Sequence, residues 1–327
     1  MDVAWFDAEQ WEKDYLAGKD ISFNIDFYDE PLTSDNAEKA DGYDAVTVFV
    51  TSEVDEAVIE ELDAFMIACR STGFDHVDVE KAKDKGIRVC NVPDYGANTV
   101  AEHTFGLMLA LSRKIYEAIR KVNEGEFNHE GLRGFDLKGK KLGVIGTGSI
   151  GKHVIRMAKG FGMNVIASDP RPDRVAENNL GFMYVSLEDL VKQSDIISLH
   201  CPLTDSTRHL LGKDEFDKMD NTLVVNTARG ELIDTEALIE ALEDGSVKAA
   251  GLDVLEEECY IEDDLKYLGD LKEKCDPQII LEDHILMDRD DVLITPHNAF
   301  NSIEALHRIE DTTLNNLRSQ ANVVNGF

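Results

Sequence analysis

Three side chains with complementary chemistry each follow one of the later apolar runs of the chain. Arg229 follows TLVVNTA, Glu258 lies five residues after the aspartate that ends AAGLDV, and His297 follows VLITP. A guanidinium binds a carboxylate through two parallel hydrogen bonds, and an imidazole can give a proton to a carbonyl oxygen and take it back. A nearby carboxylate stabilises the imidazolium and raises its pKa. If these runs are neighbouring strands, the three groups are suited to proton transfer on a carbonyl compound that carries a carboxylate.

The spacing leaves competing interpretations open. The acidic run 256–258 contains three glutamates, and spacing does not choose among them. His200 also ends an apolar run and competes with His297, but it precedes Cys201 and Pro202 and better fits the wall of a cofactor cleft. Arg229 could instead cap a helix. The role of His76 is unclear from spacing, and the remaining histidines are interpreted as helical, loop or surface residues: His103, His129, His153, His209, His284 and His307.

A glycine-rich turn between an apolar run and a helical segment predicts a dinucleotide site. GVIGTGSIG places Gly146, Gly148 and Gly151 in the order Gly-x-Gly-x-x-Gly. The first glycine permits a tight turn, the second lets the backbone approach a pyrophosphate, and the third allows close packing of helix on strand. The N–H groups at the start of the helix, around Ser149 and Ile150, would face the phosphates.

An aspartate at the end of the next apolar run indicates which dinucleotide is preferred. Asp169 lies 18 residues after Gly151, where a carboxylate can accept hydrogen bonds from the ribose hydroxyls. The same charge repels a 2′-phosphate, so the sequence predicts NAD rather than NADP. Arg171 lies two residues further on and could weaken that repulsion.

The elements that must position these residues alternate along the chain. Short apolar runs bounded by turn residues are separated by segments of helical period, which predicts parallel sheets with helical crossovers in two α/β units. Residues 99–122 predict one long amphipathic helix, with Thr99 and Glu102 in capping-box spacing and Gly125 near its end. Residues 302–324 are also helical, and the pattern does not decide which unit they pack on.

Composition excludes several classes of function. With 33 Lys and Arg against 65 Asp and Glu, the formal net charge is −32, which disfavours nucleic acid and an anionic membrane face. The start of the chain lacks a signal-peptide pattern, and no apolar run approaches the ~20 residues of a spanning helix. The five cysteines are scattered without a CxxC pair, which is typical of a reducing compartment. A cytoplasmic protein is expected.

The stretch 256–291 is unusually acidic. It holds 14 Asp and Glu together with Cys259, Cys275 and His284. These residues lack the compact spacing of metal ligands, so we expect a surface insertion and no metal site.

Taken together, the motifs resemble the D-isomer-specific 2-hydroxyacid dehydrogenases, and more narrowly their D-lactate dehydrogenase branch. The resemblance covers nearly the whole chain and is carried by RSTGFDHVD, NVPDYGANTVAEHTFGLML, GVIGTGSIG with SDP, LHCPLT, VNTARGELID, GLDVLEEE and TPHNAF. It implies two Rossmann-like or flavodoxin-like parallel-sheet domains. An NAD-binding domain (98–300) is inserted into a discontinuous substrate domain (1–97 and 301–327). The family also implies a homodimer joined through the cofactor domain.

The resemblance also implies roles for individual residues. The family's catalytic arginine, glutamate and histidine fall on Arg229, Glu258 and His297. The implied cofactor contacts are Gly146, Gly148, Ser149, Ile150, Gly151, Asp169, Cys201, Pro202, Thr207, Thr227, Ala228, Arg229, Asp253 and His297. The implied substrate contacts are Gly73, Phe74, Tyr95, Arg229, His297 and Phe300.

Two departures from the family pattern bear on the substrate. Many relatives carry Glu-Pro where this chain has Glu258-Cys259, and the 39-residue interval from Glu258 to His297 is long for the wider family. The resemblance implies reduction of pyruvate to D-lactate by NADH. The alternatives are a bulkier 2-keto acid, glyoxylate or hydroxypyruvate, a non-enzymatic NADH-sensing regulator, or a methyltransferase. The last would need a different glycine spacing.

Overall fold

The computed structural model describes residues 1–256 and 277–326 of the chain. Within these ranges strands and helices alternate, as the sequence pattern predicts. In chain order the strands are β1 (Asp2–Trp5), β2 (Asn24–Phe27), β3 (Ala45–Val48), β4 (Met66–Cys69), β5 (Arg88–Cys90), β6 (Lys141–Ile145), β7 (Asn164–Ser168), β8 (Met183–Tyr184), β9 (Ile196–Leu199), β10 (Thr222–Asn226), β11 (Val247–Leu252) and β12 (Val292–Ile294). The helices are α1 (Gln10–Ala17), α2 (Glu56–Glu61), α3 (Val79–Lys85), α4 (Ala97–Arg113), α5 (Ile115–Asn123), α6 (Ser149–Gly160), α7 (Arg174–Leu180), α8 (Leu187–Gln193), α9 (Lys213–Phe216), α10 (Thr235–Asp244), α11 (Pro277–Met287) and α12 (Ile303–Ser319).

The chain forms two compact units. Met1–Tyr95 and Asn301–Phe327 form the first, and Gly96–Phe300 form the second. The first passage between them, at Tyr95–Gly96, comes two residues before the boundary expected from the sequence, because Gly96 is already the N-cap of α4. Two α/β units, one inserted into the other, confirm the predicted fold class.

The first unit is built on a five-stranded parallel sheet in the order β2-β1-β3-β4-β5. The C-terminal helix α12 belongs to this unit, since Leu314 and Leu317 are buried in one cluster with Val3 and Trp5 of β1. The sequence pattern left open which unit α12 packs on. The structure answers this, because the apolar residues of α12 pack against an apolar face of the first sheet.

The second unit is built on a seven-stranded parallel sheet in the order β12-β11-β10-β9-β6-β7-β8. From β6 the chain proceeds outwards through β7 and β8, and from β9 it proceeds in the other direction. The strand order therefore reverses between β6 and β9. In open sheets of this kind ligands bind beyond the carboxyl ends of the strands, at that switch point.

The expected single helix over residues 99–122 is wrong. The segment forms α4 and α5, which are separated at Lys114, where the backbone is left-handed with φ of 52°. The expected capping box is also absent. Gly96 is the N-cap, Thr99 is buried within the helix, and Glu102 is exposed. A residue with a left-handed backbone cannot continue a right-handed helix. The sequence does not reveal the break at Lys114, because a single left-handed residue leaves the spacing of the apolar side chains intact.

Helix α4 packs closely on the second sheet. A Cβ added at Gly251 of β11 would lie 3.1 Å from the Leu107 Cβ, so the glycine lets the helix approach the strand. Met108 of the same helix is fully buried in the core on this face of the sheet. This close packing brings His103 and Thr104 of α4 to the residues that follow β10, β11 and β12.

Part of the acidic stretch 256–291 departs from the expected surface insertion. Residues 277–287 form α11, which packs on α10 and buries Leu286 in the core of the second unit. His284 on this helix is exposed. Cys259 and Cys275 lie outside the described residues. None of the helices described is long and apolar enough to cross a membrane.

Candidate active site

The glycine loop follows β6 and begins α6, at the switch point of the second sheet. Gly146 has a φ of 90°, and a Cβ there would lie 2.6 Å from the carbonyl oxygen of His200. A Cβ on Gly151 would lie 2.1 Å from the carbonyl oxygen of Gly146. Gly146 is therefore required by the close approach of the segment after β9, and Gly151 by the close approach of the loop backbone itself.

Gly148 needs a different explanation. A Cβ at this position would meet no protein heavy atom within 4 Å, and its φ is −67°. Gly148 is the N-cap of α6, and neither a capping side chain nor an acidic residue occupies the first turn. The N–H groups at Ser149 and Ile150 thus begin a helix whose positive end can accept an anion. The loop fits a pyrophosphate that approaches the backbone at Gly148.

Asp169 follows β7 beside this loop. Its Oδ2 accepts hydrogen bonds from the backbone N–H and the hydroxyl of Thr147, at 2.7 and 2.8 Å, and Oδ1 accepts from the N–H of Arg171 at 2.8 Å. Burial raises the pKa of this carboxyl, but the hydrogen bonds from Thr147 and Arg171 outweigh it and leave the pKa lowered. An ionised carboxylate has about four acceptor positions, so Asp169 can still accept from ribose hydroxyls.

The segment after β9 lies against the glycine loop. His200 shares a hydrogen bond of 2.7 Å with the Ser198 hydroxyl, and burial lowers the pKa of its imidazole to about 3. A ring that stays neutral at physiological pH is a poor general acid, so His200 is a weaker competitor for that role than spacing suggested. Cys201 is half-buried, and the Thr207 hydroxyl donates to the carbonyl of Pro202 at 2.7 Å, which closes the turn after the strand.

Arg229 is presented by a turn that Asn226 holds at the end of β10. The Asn226 side chain donates to the carbonyl of Arg229 at 2.8 Å and accepts from the N–H of Ala228 at 3.0 Å. The half-buried guanidinium donates to the carbonyl of Ala228 at 2.7 Å. A Cβ on Gly230 would lie 1.9 Å from the carbonyl oxygen of Leu255, so the glycine lets this turn lie against the segment after β11.

His297 follows β12 in a strained conformation. Its φ is 46°, in the left-handed region, and its N–H donates to the carbonyl oxygens of Asp253 and Thr295, at 2.8 and 2.9 Å. The Asp253 side chain is fully buried and accepts from the Thr295 hydroxyl at 2.5 Å and from the N–H groups of Asn298 and Ala299, at 2.9 and 2.8 Å. Asp253 therefore holds the turn that carries His297.

Pairing of the strands brings these turns to one edge of the sheet. The carbonyl of Asn226 in β10 accepts from the N–H of Asp253 at 2.9 Å, and the N–H of Thr295 donates to the carbonyl of Leu252 in β11. Arg229 and His297 thus follow strands on either side of β11. Thr227 is also at this edge and shares a hydrogen bond of 2.9 Å with Thr104 of α4.

Glu258 lies outside the described residues, but the first glutamate of its run is described. The Glu256 carboxylate is almost fully buried and bonds to the His209 ring and to the Thr235 hydroxyl. These partners give Glu256 a structural role. The choice of a catalytic glutamate within the run 256–258, which spacing left open, is therefore narrowed to the other two residues. Among the residues described, no group of three His, Cys, Asp or Glu could hold a metal ion.

Three of the four remaining substrate candidates lie in the first unit. The carbonyl of Gly73 accepts from the Ser71 hydroxyl at 2.6 Å, and Phe74 packs against the core of that unit. The carbonyl of Tyr95 accepts from the Arg308 guanidinium. Phe300 is the last residue of the second unit.

The sequence interpretation missed two residues that shape this edge. Asn226 was counted only as part of an apolar run, and His103 of α4 was set aside as an ordinary helical histidine. His103 contacts both Thr295 and Asp253. A signal for it exists in TVAEHTFGLMLALSR, where His103 and Thr104 directly precede the apolar run 105–111.

Known protein families and curated proteins include clear relatives of this chain. A family model described as "D-isomer specific 2-hydroxyacid dehydrogenase, NAD binding domain" matches residues 105–299. The D-lactate dehydrogenase of Escherichia coli (strain K12) is 40% identical over 326 residues, covering 97% of this chain and 96% of that protein.

Solved structures extend the similarity to the three-dimensional fold. The D-lactate dehydrogenase from Aquifex aeolicus, complexed with NAD and lactic acid, superposes with a TM-score of 0.86 at 31% identity and covers 99% of both chains. D-2-hydroxyisocaproate dehydrogenase superposes with a TM-score of 0.84 at 30% identity over the full length of both chains. The similarity therefore includes both units.

Proposed function

Because this chain belongs to the D-isomer specific 2-hydroxyacid dehydrogenase family, we propose that it reduces pyruvate to D-lactate through Arg229, Glu258 and His297. Its cofactor is NAD, as the match to the family's NAD-binding domain indicates. The observation that carries the substrate proposal is the 40% identity to a D-lactate dehydrogenase over 97% of the chain. The relative solved with NAD and lactic acid supports the same class of substrate.

Arg229 binds the substrate carboxylate in this proposal. A guanidinium provides two parallel donors that match a carboxylate, and it supplies a local positive charge on a chain whose net charge is −32. The turn held by Asn226 and the close approach allowed by Gly230 support this role, because they restrict the backbone that presents the side chain.

His297 protonates the carbonyl oxygen as the ketone is reduced. NADH, when bound, supplies the hydride that is added to the carbonyl carbon. The His297 ring gives its proton to the oxygen, and in the reverse direction it takes the proton from the hydroxyl group. Glu258 is assigned to stabilise the imidazolium that carries this proton.

The residues around the glycine loop fit the dinucleotide. The N–H groups at the start of α6 would hold its pyrophosphate, and Asp169 would accept from the ribose hydroxyls while repelling a 2′-phosphate. Cys201, Pro202 and Thr207 would line the adjacent cleft. Thr227, Ala228 and Asp253 would lie at the nicotinamide end, Asp253 through its backbone, since its carboxylate oxygens already accept several hydrogen bonds.

We assign the two units different tasks. The second unit, which contains the residues matched by the family's NAD-binding domain, binds the cofactor. The first unit is assigned substrate contacts through the backbone at Gly73 and Phe74 and through Tyr95, and the second unit is assigned a substrate contact through Phe300.

We also propose a cytoplasmic homodimer joined through α5. None of the residues of α5 is buried within the chain, and Ile115, Tyr116, Ile119 and Val122 are all about half exposed. An exposed apolar stripe of this kind marks an interaction surface. The helix carries one acidic and two basic residues, so its own charge does not add to the repulsion between two copies of this acidic chain.

A bulkier 2-keto acid is the second candidate substrate, because D-2-hydroxyisocaproate dehydrogenase has the same fold over its full length. The test is a turnover panel of pyruvate, phenylpyruvate, 2-ketoisocaproate, glyoxylate and hydroxypyruvate, each with NADH and with NADPH. We expect the highest kcat/KM for pyruvate with NADH, and oxidation of D-lactate but not of L-lactate. A higher kcat/KM for 2-ketoisocaproate would contradict the substrate, and equal use of NADPH would contradict the role of Asp169.

A further inference from the structure

Helix α4 contributes one polar side chain to the turn that carries His297. The His103 Nε2 lies 3.0 Å from the Thr295 Oγ1 and 3.2 Å from the Asp253 Oδ1. The neighbours of His103 on the buried side of this helix include Phe105, Leu107 and Met108, which pack against the sheet. The proton transfer described above makes no use of His103.

The partners of this ring determine where its hydrogen lies. Burial raises the pKa of Asp253, but the hydrogen bonds from His103, Thr295, Asn298 and Ala299 outweigh it and leave the pKa lowered, so Asp253 is a carboxylate and only accepts. The single hydrogen of the Thr295 hydroxyl already points to the Asp253 Oδ1. No donor therefore remains for an unprotonated Nε2, and Nε2 must carry the hydrogen that it shares with both oxygens.

Asp253 transmits this contact to His297. Its carboxylate holds the N–H groups of Asn298 and Ala299, and its carbonyl oxygen holds the N–H of His297. A histidine rarely adopts a φ of 46° unless surrounding bonds impose it. The orientation of the Asp253 carboxylate therefore sets the backbone from which the His297 ring projects.

We propose that His103 is a positioning residue that acts through Asp253 to hold the turn of His297 in its reactive orientation. The proposal rests on the function proposed above, because it assigns His103 a task in the proton transfer by His297. In this proposal the His103 Nε2 acts as a hydrogen-bond donor. Another side chain with an N–H group at the same distance from the backbone can therefore replace it.

The first test compares His103→Ala with His103→Gln, whose amide nitrogen can reach the place of Nε2. Because a displacement of about 1 Å at a catalytic group can lower the rate about 100-fold, we expect His103→Ala to lower kcat for pyruvate roughly 10- to 100-fold. We expect the KM for NADH to stay within about twofold, and His103→Gln to recover most of kcat. An unchanged kcat in His103→Ala would overturn the proposal.

The second measurement does not depend on turnover. Hydrogen–deuterium exchange of the segment 295–300 reports whether the N–H groups of Asn298 and Ala299 remain held by Asp253. We expect faster exchange of this segment in His103→Ala and a rate close to wild type in His103→Gln. Unchanged exchange in His103→Ala would overturn the proposal even if wild type reduced none of the keto acids tested, whereas faster exchange with an inactive wild type would contradict only the proposed function.

A matched control on the same helix is Met108→Ala, which leaves a cavity in the core without touching Asp253. We expect this variant to lose at least as much melting temperature as His103→Ala, with kcat and the exchange of 295–300 near wild type. If kcat instead fell in both variants in proportion to the lost melting temperature, His103 would be only a structural residue.

Discussion

At the scale of single residues, the turns that carry Arg229 and His297 at the edge of the second sheet are held by neighbouring polar side chains. Asn226 holds the turn of Arg229 through its side-chain amide, and Asp253 holds the turn of His297. His200, which resembles His297 in its place at the end of a strand, has a pKa lowered by burial to about 3. Position at a strand end is therefore insufficient for proton transfer, and the surroundings of each ring decide its chemistry.

His297→Asn tests the proposed general acid directly. Asparagine adopts left-handed backbone more readily than most residues and cannot exchange a proton, so the φ of 46° can be kept while the acid is lost. General acid–base catalysis contributes about 10²- to 10⁴-fold, so we expect kcat for pyruvate reduction to fall at least about 100-fold. NADH affinity, measured by fluorescence titration, should stay near wild type.

The matched control is His284→Asn, which makes the same chemical change at an exposed histidine of α11. It should leave both kcat and NADH affinity unaltered. Turnover of His297→Asn equal to that of this control would remove His297 from the mechanism.

At the scale of elements, short distances between backbones decide where a side chain is tolerated. Helix α6 approaches the end of β6 so closely that residue 151 has no room for a Cβ, whereas Gly160 at the end of the same helix has no neighbour within 4 Å of that position. Both residues are glycines of the same helix, but only Gly151 is packed tightly against another part of the backbone.

We therefore predict opposite effects for Gly151→Ala and Gly160→Ala. The first places a methyl group 2.1 Å from the carbonyl of Gly146, which must displace the loop, so NADH affinity should fall at least about 10-fold and the melting temperature should drop. The second removes the entropic cost of a helical glycine, about 0.5–1 kcal/mol, and should raise the melting temperature slightly. Thermal unfolding and fluorescence titration measure both, and normal NADH binding by Gly151→Ala would contradict the described loop geometry.

At the scale of the whole molecule, a buried ionisable cluster links the two chain segments of the first unit. Glu12 of α1, Arg70 after β4 and Glu310 of α12 are all at most 3% exposed, and Arg70 pairs with Glu12. Burial, reinforced by the neighbouring Glu12 and only partly opposed by Arg70, raises the pKa of Glu310 well above its ordinary value. The Glu310 carboxyl is therefore harder to ionise than an ordinary glutamate, and it is hydrogen-bonded to Glu12.

This cluster should make the first unit less stable as pH rises. A carboxyl group whose pKa is higher in the folded state than in the unfolded state contributes its full stabilisation of the fold at pH values below the unfolded pKa. That contribution is lost as pH rises towards the folded pKa. In this window the folded state holds a proton that the unfolded state has lost, so the free energy of unfolding falls as pH rises. Glu310→Gln keeps a donor to Glu12 without a proton to lose, so we expect its stability to decline less than that of wild type as pH rises above the ordinary pKa of a glutamate.

Urea unfolding at several pH values measures this difference, and tryptophan fluorescence reports the first unit because Trp5 and Trp11 both lie in it. The control is Glu304→Gln, which removes the same charge from an exposed position of α12 and should keep the wild-type pH dependence. Parallel pH profiles for Glu310→Gln and wild type would show that Glu310 does not take up the proton.

The sequence predicts the fold of this molecule better than it predicts the roles of single residues. Alternation of apolar runs and helical segments predicted the α/β fold, because period and turn residues are local properties. The break at Lys114 escaped, because a single left-handed residue leaves the periodicity intact. The roles of Asn226 and His103 also escaped, because their partners lie in strands and turns distant along the chain.

The sequence by itself determined the glycine spacing, the aspartate at the end of the next strand and the order in which Arg229 and His297 follow their strands. These features depend on residue type and local spacing. Only the tertiary structure shows that the Asp253 carboxylate accepts hydrogen bonds from the His297 turn, that His200 stays neutral, and that α12 packs in the first unit. Burial and hydrogen-bond partners control these outcomes, and both arise only when distant segments of the chain pack together.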